Sequence, residues 1–202
     1  MAHDSWRTDL TKARERLARL SPSDKVAIAL HDFAGVAADV VPFDYADGPN
    51  GVRGHQGATA FPSMLALAAS FDRRLAAAYG IALAREVLAA GRNAVFSPGL
   101  DVVRVPWGGR AGQQLSEDPF LAGEMGGVTG QAVQSQGVLA IATHYVANNF
   151  EWLRTGTGSL PQRTAAIDVR LSQRALHEIY LEPFRRPSVG TASPASWAPT
   201  TG

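Results

Sequence analysis

The feature that most constrains the fold of this chain is an alternation of short apolar segments with longer amphipathic ones. Residues 94–97 and 138–142 are short and apolar, and each is followed by a polar loop rather than by a hairpin turn. A segment of helical periodicity, about 72–90, precedes the first of them. This order of strand, loop and helix is typical of a parallel sheet with helical crossovers. Periodicity leaves a closed barrel and an open doubly wound sheet as alternatives.

Capping residues and helical spacing predict five helices and four strands. In the clearest helix, Leu75, Tyr79, Leu83 and Val87 recur at every fourth position and predict one buried face. Helices are predicted over about 6–19, from Ser21 or Ser23 to near His31, over about 72–90, from Asp118 to about Gln136, and from Ser172 to about Phe184. Strands are predicted within 40–48, at 94–97 and 138–142, and more weakly at 165–171.

Composition excludes several classes of protein. The net charge is +1 and lysine and arginine are dispersed, so the chain has no electrostatic footprint for nucleic acid. It has no cysteine, which excludes disulfides and thiolate metal sites, and no glycine-rich loop for a nucleotide. The N-terminal residues are charged, and no apolar run reaches the roughly 20 residues that a membrane helix needs. We therefore expect a soluble, cytoplasmic domain without cofactor, metal, membrane or nucleic-acid partner.

Four polar clusters follow predicted strands or glycine-rich turns. Asp47 lies in ADGPNGVRG, Asp101 in SPGLDVVRVP, Arg110 in WGGRAGQQLSEDP, and His144 in THYVANN. Each residue also has an ordinary structural interpretation. Asp47 before Gly-Pro is a common turn former, Arg110 between glycines is often solvated, and a histidine at a strand end is often structural. Asp101 is equally consistent with loop hydrogen bonding and with sugar contact.

Together these side chains have the chemistry of a carbohydrate pocket. Carboxylate, guanidinium, imidazole and amide groups at strand ends bind vicinal hydroxyls, because each hydroxyl donates and accepts, and charged partners give the stronger bonds. Glycoside cleavage would also need paired carboxylates, and no obvious second acid accompanies the first. The residues therefore indicate a sugar pocket whose natural chemistry would be glycoside cleavage, with the second carboxylate still to be found.

The order of several segments resembles the N-terminal domain of family 3 glycoside hydrolases, in the β-glucosidase branch. The resemblance rests on LSPSDKVAIAL, DGPNGVRG, ATAFPSMLALAASFD, FSPGLDVVR, GGRAGQQLSEDPFLAGEM, QSQGVLAIATHYVANN and DVRLSQRALHEIYLEPF. It implies an α/β fold, namely an incomplete (β/α)8 TIM-type barrel formed by residues 1–186, with about five or six of the eight βα units. It also implies retaining hydrolysis of terminal β-linked glucosides or oligosaccharides through a covalent glycosyl-enzyme.

The same resemblance implies a role for each candidate residue. Asp47 would bind the distal hydroxyls of the sugar in the −1 subsite, and Arg110 and His144 would bind its ring hydroxyls. The family usually has Lys where Thr143 stands, and a threonine hydroxyl is shorter and uncharged, so we expect weaker sugar binding. A second departure is Gln113, where the family commonly has Glu. The K-H-F-P-G-H motif of the hexosaminidase branch is absent, which favours glucosidase ancestry.

The last residues, 187–202, do not continue the family pattern. They read PSVGTASPASWAPTTG, a composition typical of disorder. With suitable codons, a shift of reading frame near codon 187 turns them into the expected family strand Val-Met-Gly-Ala-Tyr-Asn-Arg. We therefore expect an out-of-frame tail, without the family's nucleophilic Asp and general acid/base, and we assign no catalytic residue. The alternatives are a non-catalytic sugar-binding module and a fragment that pairs with a separate chain carrying the missing half of the barrel.

Overall fold

A computed structural model describes residues 5–30, 32–33, 35–36, 42–157 and 166–185, with side chains from residue 11 onward. The chain divides into two compact units, Met1–Asp44 and Tyr45–Gly202. The predicted disordered tail, 187–202, lies outside the described residues. No helix in the described parts of the chain is long and apolar enough to span a membrane.

The first unit contains two helices, α1 (Ser5–Arg19) and α2 (Pro22–Ala29). Ser21 begins α2: its hydroxyl accepts a hydrogen bond from the Asp24 backbone N–H at 3.1 Å, and its own N–H donates to the Asp24 carboxylate at 3.0 Å. This reciprocal pair satisfies two backbone donors at the helix start. Both predicted helices are thus confirmed, and Ser21 rather than Ser23 is the cap.

The second unit is built on a parallel sheet of three strands in the order β1 (Tyr45–Asp47), β2 (Ala94–Gly99) and β3 (Leu139–Thr143). Val95 lies beside Ala46 on one side and Ala140 on the other. The α/β class and the parallel pairing predicted from the sequence are confirmed. The count of five or six βα units is not, because the described residues form only these three strands.

The weak strand predicted at 165–171 is wrong over its described part. Residues 166–171 form no strand, and Ile167 and Val169 are exposed. Ile167 donates a single backbone hydrogen bond, to the Leu153 carbonyl at 3.1 Å. An alternating apolar pattern forms a strand only where a neighbouring strand and a buried face receive it. Among the described residues, no strand pairs with 166–171, and the segment is largely exposed.

Helices of the second unit precede β2 and β3 along the chain, and one more follows β3. They are α3 (Met64–Ala68), α4 (Arg73–Ala89), α5 (Pro119–Ser135) and α6 (Gln173–Ala175), with a 3-10 turn at Ala111–Gln113 and a π-helical turn at Leu176–Tyr180. Asp72 and Asp118 cap α4 and α5 as predicted, each accepting a backbone N–H two residues on. Ser172 caps α6, but the predicted last helix is interrupted by the π-helical turn. The sequence pattern missed α3.

The core lies where α4 and α5 pack together and against the sheet. Leu83 and Val87 of α4 and Met125 and Val133 of α5 are fully or almost fully buried. The two helices approach closely at Gly80, where a Cβ atom would lie 2.5 Å from the Thr129 carbonyl oxygen. A glycine is therefore required for this helix spacing.

Leu75 departs from the face predicted for α4, because it lies near the helix start and is 48% exposed, whereas Leu83 is fully buried. We expect Leu83→Ala to lower the free energy of unfolding by about 2–5 kcal/mol, since it leaves a cavity. The matched Leu75→Ala change on the same helix should stay within about 1 kcal/mol. Urea unfolding followed by circular dichroism measures both, and equal losses would contradict this description of the core.

Candidate functional site

The candidate residues collect at the carboxyl edge of the sheet. Asp47 ends β1 and Thr143 ends β3, while Asp101 follows β2 by two residues. His144 comes directly after β3, and Arg110 lies in the long loop after β2. Because parallel strands present their carboxyl ends at one edge, the side chains that follow them are brought together there.

Asp101 and His144 form a direct pair. The Asp101 side chain is 1% exposed and that of His144 is 31% exposed. Asp101 Oδ2 accepts from the His144 backbone N–H at 2.9 Å and lies 2.8 Å from His144 Nδ1, while Oδ1 accepts from the Asn148 N–H at 3.1 Å. A carboxylate only accepts, so Nδ1 carries the proton and Nε2 remains the ring nitrogen available to a ligand.

Arg110 lies between two partners. Its Nε donates to Gln113 Oε1 at 2.5 Å, and a terminal nitrogen lies 3.5 Å from Glu151 Oε1. Glu151 Oε1 also accepts from the Asn148 side-chain amide at 3.1 Å. A continuous polar network therefore joins Arg110, through Glu151 and Asn148, to the carboxylate that holds His144.

Asp47 lies at the start of a tight, glycine-dependent loop. Its carboxylate is 2.8 Å from an Arg53 guanidinium nitrogen, and its carbonyl accepts from the Arg53 N–H, also at 2.8 Å. Gly48 has φ +148°, and a Cβ there would lie 1.7 Å from the Gly51 carbonyl oxygen. The Arg53 and Asp47 side chains are 64% and 44% exposed, so this ion pair is accessible to a ligand.

A cleft of about 290 Å³ opens beside this loop. Its lining includes Gly48, Asn50, Val52, Arg53, His55 and Gln113. The Asn50 side-chain amide donates to the Gly112 carbonyl at 3.1 Å, which joins the loop after β1 to the loop that carries Arg110. The Tyr79 hydroxyl lies 2.7 Å from the Pro49 carbonyl oxygen, and burial raises the pKa of Tyr79, so the phenol stays a donor.

Thr143 and Gln113 border the same glycine, Gly99. Thr143 is buried and pairs with Gly99 across the sheet, and its carbonyl accepts from the Leu100 N–H at 2.6 Å. A Cβ at Gly99 would lie 1.9 Å from the Gln113 carbonyl oxygen. The Thr143 and Gln113 backbones thus approach each other across a residue that has no side chain.

The structure brings Asp101, Thr143 and His144 into one cluster and links Arg110 to it through Glu151. Glu151 was not singled out from the sequence, although a carboxylate three residues after Asn148 in a loop following a strand was an available signal. No group of three histidine or acidic side chains that could hold a metal ion occurs in the parts of the chain that the structure describes.

Comparison with known proteins identifies the family. The model of the glycosyl hydrolase family 3 N-terminal domain matches residues 39–187. The chain belongs to glycoside hydrolase family 3. The β-glucosidase BoGH3A of Bacteroides ovatus is 40% identical over 152 residues, which are 69% of this chain and 19% of that protein.

Solved structures of the family agree with the fold described above. DesR, a β-glucosidase from Streptomyces venezuelae in complex with D-glucose, superposes with a TM-score of 0.66 at 32% identity, covering 74% of this chain and 18% of DesR. β-Glucosidase 3B of Thermotoga neapolitana, in complex with α-D-glucose, superposes with a TM-score of 0.64 at 37% identity. The match covers 72% of this chain and 20% of β-glucosidase 3B. The chain thus spans about a fifth of the length of these family 3 relatives.

The geometry predicts that the buried carboxylate of Asp101 holds the site together. Asp101→Asn keeps the shape of the side chain but leaves a single acceptor oxygen, so at least one backbone or imidazole donor loses its partner. We expect a loss of about 1–3 kcal/mol in the free energy of unfolding. The control is Asp168→Asn, where an exposed aspartate 2.8 Å from Arg170 is changed in the same way.

The control should change stability by less than about 0.5 kcal/mol, because exposed ion pairs contribute little. Urea unfolding of both variants measures the difference. Equal losses in Asp101→Asn and Asp168→Asn would show that Asp101 does not organise the site.

Proposed function

We propose that this chain forms the glucose-binding part of a family 3 β-glucosidase, an enzyme that hydrolyses terminal β-D-glucosyl bonds with retention. The observation that carries the proposal is the polar network from Asp101 to Arg110 at the carboxyl edge of the sheet. The Arg110 and His144 side chains, at 23% and 31% exposed, both retain access to solvent, which supports a role in binding. Two solved relatives, DesR in complex with D-glucose and β-glucosidase 3B in complex with α-D-glucose, support the same ligand class.

Each side chain has a proposed part in binding. Arg110 and His144 Nε2 meet the ring hydroxyls, and the exposed carboxylate of Asp47 accepts from the distal hydroxyls. Thr143 ends β3 beside them and contributes a neutral hydroxyl at most. Asp101 holds His144 rather than touching the sugar, because its side chain is 1% exposed and both of its oxygens already accept protein hydrogen bonds.

Cleavage needs more than this binding surface. A retaining mechanism uses two carboxyl groups about 5–5.5 Å apart on either side of the scissile bond. The site carboxylates of the described residues are engaged elsewhere: Asp47 with Arg53, Asp101 with His144, and Glu151 with Arg110 and Arg154. This observation favours a second candidate function, sugar binding without hydrolysis by these 202 residues alone.

The complete (β/α)8 barrel is a further part of the proposal. The three parallel strands and their helical crossovers have the order expected for consecutive units of such a barrel. Further strands, in the same polypeptide or in a separate chain, would pair with the sheet edges and close it. The cytoplasmic location stays a prediction.

Glucose titration of the 202-residue chain, followed by calorimetry, tests the proposed function. We expect saturable binding of glucose that Arg110→Gln weakens about 10- to 100-fold, because charge-assisted hydrogen bonds to the ring hydroxyls are lost. The matched control is Arg85→Gln, which removes an exposed guanidinium of α4. We expect that variant to bind glucose like the original chain.

Hydrolysis of an aryl β-glucoside is measured on the same samples. We expect no turnover above background, because each of the three site carboxylates in the described part of the chain is paired with a basic side chain. Turnover by the chain alone would overturn the assignment of binding without hydrolysis. Equal glucose affinity in the original chain and in Arg110→Gln would overturn the binding site itself.

A further inference from the structure

Glu151 is the junction of the network and makes contacts on both sides of the site. Its Oε1 lies 3.5 Å from an Arg110 guanidinium nitrogen and accepts from the Asn148 side-chain amide at 3.1 Å. Its Oε2 lies 3.4 Å from Arg154 Nε. The Arg110 and Glu151 side chains are 23% and 26% exposed, so their interaction is partly shielded from solvent.

Of the two partners of Arg110 described above, Glu151 is the charged one. The other partner of Arg110, Gln113, is neutral and binds only Nε. Glu151 therefore supplies the negative charge that faces the Arg110 guanidinium, while it shares that charge with Arg154, which is more exposed. A long arginine side chain held at both Nε and a terminal nitrogen loses less freedom when it binds a ligand.

We propose that Glu151 is a positioning residue that sets the Arg110 guanidinium for sugar binding. This inference rests on the proposed function, and it assigns Glu151 as the group that orients Arg110, the cation of the proposed sugar site. Through Asn148, whose backbone N–H donates to Asp101, the same carboxylate supports the loop that carries His144. One side chain thus orients both groups that meet the ring hydroxyls.

A purely structural role for Glu151 is separable from this one. The Glu151 backbone N–H donates to the Gly108 carbonyl at 3.0 Å and joins the loops after β2 and β3 without using the side chain. Glu151→Gln retains this bond and an amide oxygen that accepts from Asn148, and it removes the charge and the second acceptor oxygen, which faces Arg154. The change therefore tests positioning of Arg110 rather than assembly of the loops.

The experiment measures glucose affinity by calorimetry and the Arg110 Nε–H signal by NMR, assigned from its loss in Arg110→Gln, on the full 202-residue chain. Glu151→Gln should shift the Nε–H signal and weaken glucose binding about tenfold. Adding Gln113→Glu to it should restore most of the affinity, because a carboxylate then faces Arg110 from the other side. Arg154→Gln should keep the original affinity. Glu124→Gln, which alters an ion pair of similar length with Arg73 on α4, is the matched control.

Combining Arg110→Gln with Glu151→Gln should cost no more affinity than Arg110→Gln alone, because both changes act on one guanidinium. Additive losses, or a loss in Arg154→Gln equal to that in Glu151→Gln, would overturn the proposal. Absence of glucose binding in the original chain would refute the proposed function. The Arg110 Nε–H signal then decides by itself whether Glu151 positions Arg110. A shifted Arg110 Nε–H signal in Glu151→Gln supports positioning, and an unshifted one overturns it.

Discussion

The site depends on one buried carboxylate. Asp101 accepts hydrogen bonds from the backbone N–H groups of His144 and Asn148 and from the His144 imidazole. An ionised group that is 1% exposed is stable only when its oxygens are satisfied, so the loops after β2 and β3 must stay together for Asp101 to remain buried. Through these three hydrogen bonds, the Asp101 carboxylate fixes both the path of the loop after β3 and the tautomer of the His144 imidazole.

The parallel sheet makes this interaction possible, because it brings the ends of β2 and β3 side by side. Gly99 allows the chain around Gln113 to approach the sheet, and the Asn50 amide links the loop after β1 to that same chain. Gln113 and Thr143, which border Gly99, are both uncharged and contribute no formal charge to this edge of the sheet.

Local patterns were enough to predict much of the fold. Asp72 and Asp118 begin their helices as expected, because a cap depends on neighbouring residues alone. The strand predicted over this part of the chain, 166–171, was wrong. A strand needs a neighbouring strand to pair with, and the alternation of apolar residues within one segment does not reveal whether such a neighbour exists. The placement of Asp101, His144 and Arg110 near one edge followed from their positions after strands. The burial of Asp101 and the proposed role of Glu151 could not be predicted in this way, since both arise from contacts between residues more than 40 positions apart in sequence.

A crystal structure of the 202-residue chain soaked with β-D-glucose tests the central claim most directly, since it locates the sugar itself. The account predicts a pyranose whose ring hydroxyls lie within hydrogen-bonding distance of Arg110 and His144 Nε2, with distal hydroxyls at Asp47 and no contact to Asp101. Glucose bound elsewhere on the chain, with Arg110 still paired to Glu151 and no sugar beside it, would contradict the assignment of this edge as the glucose site.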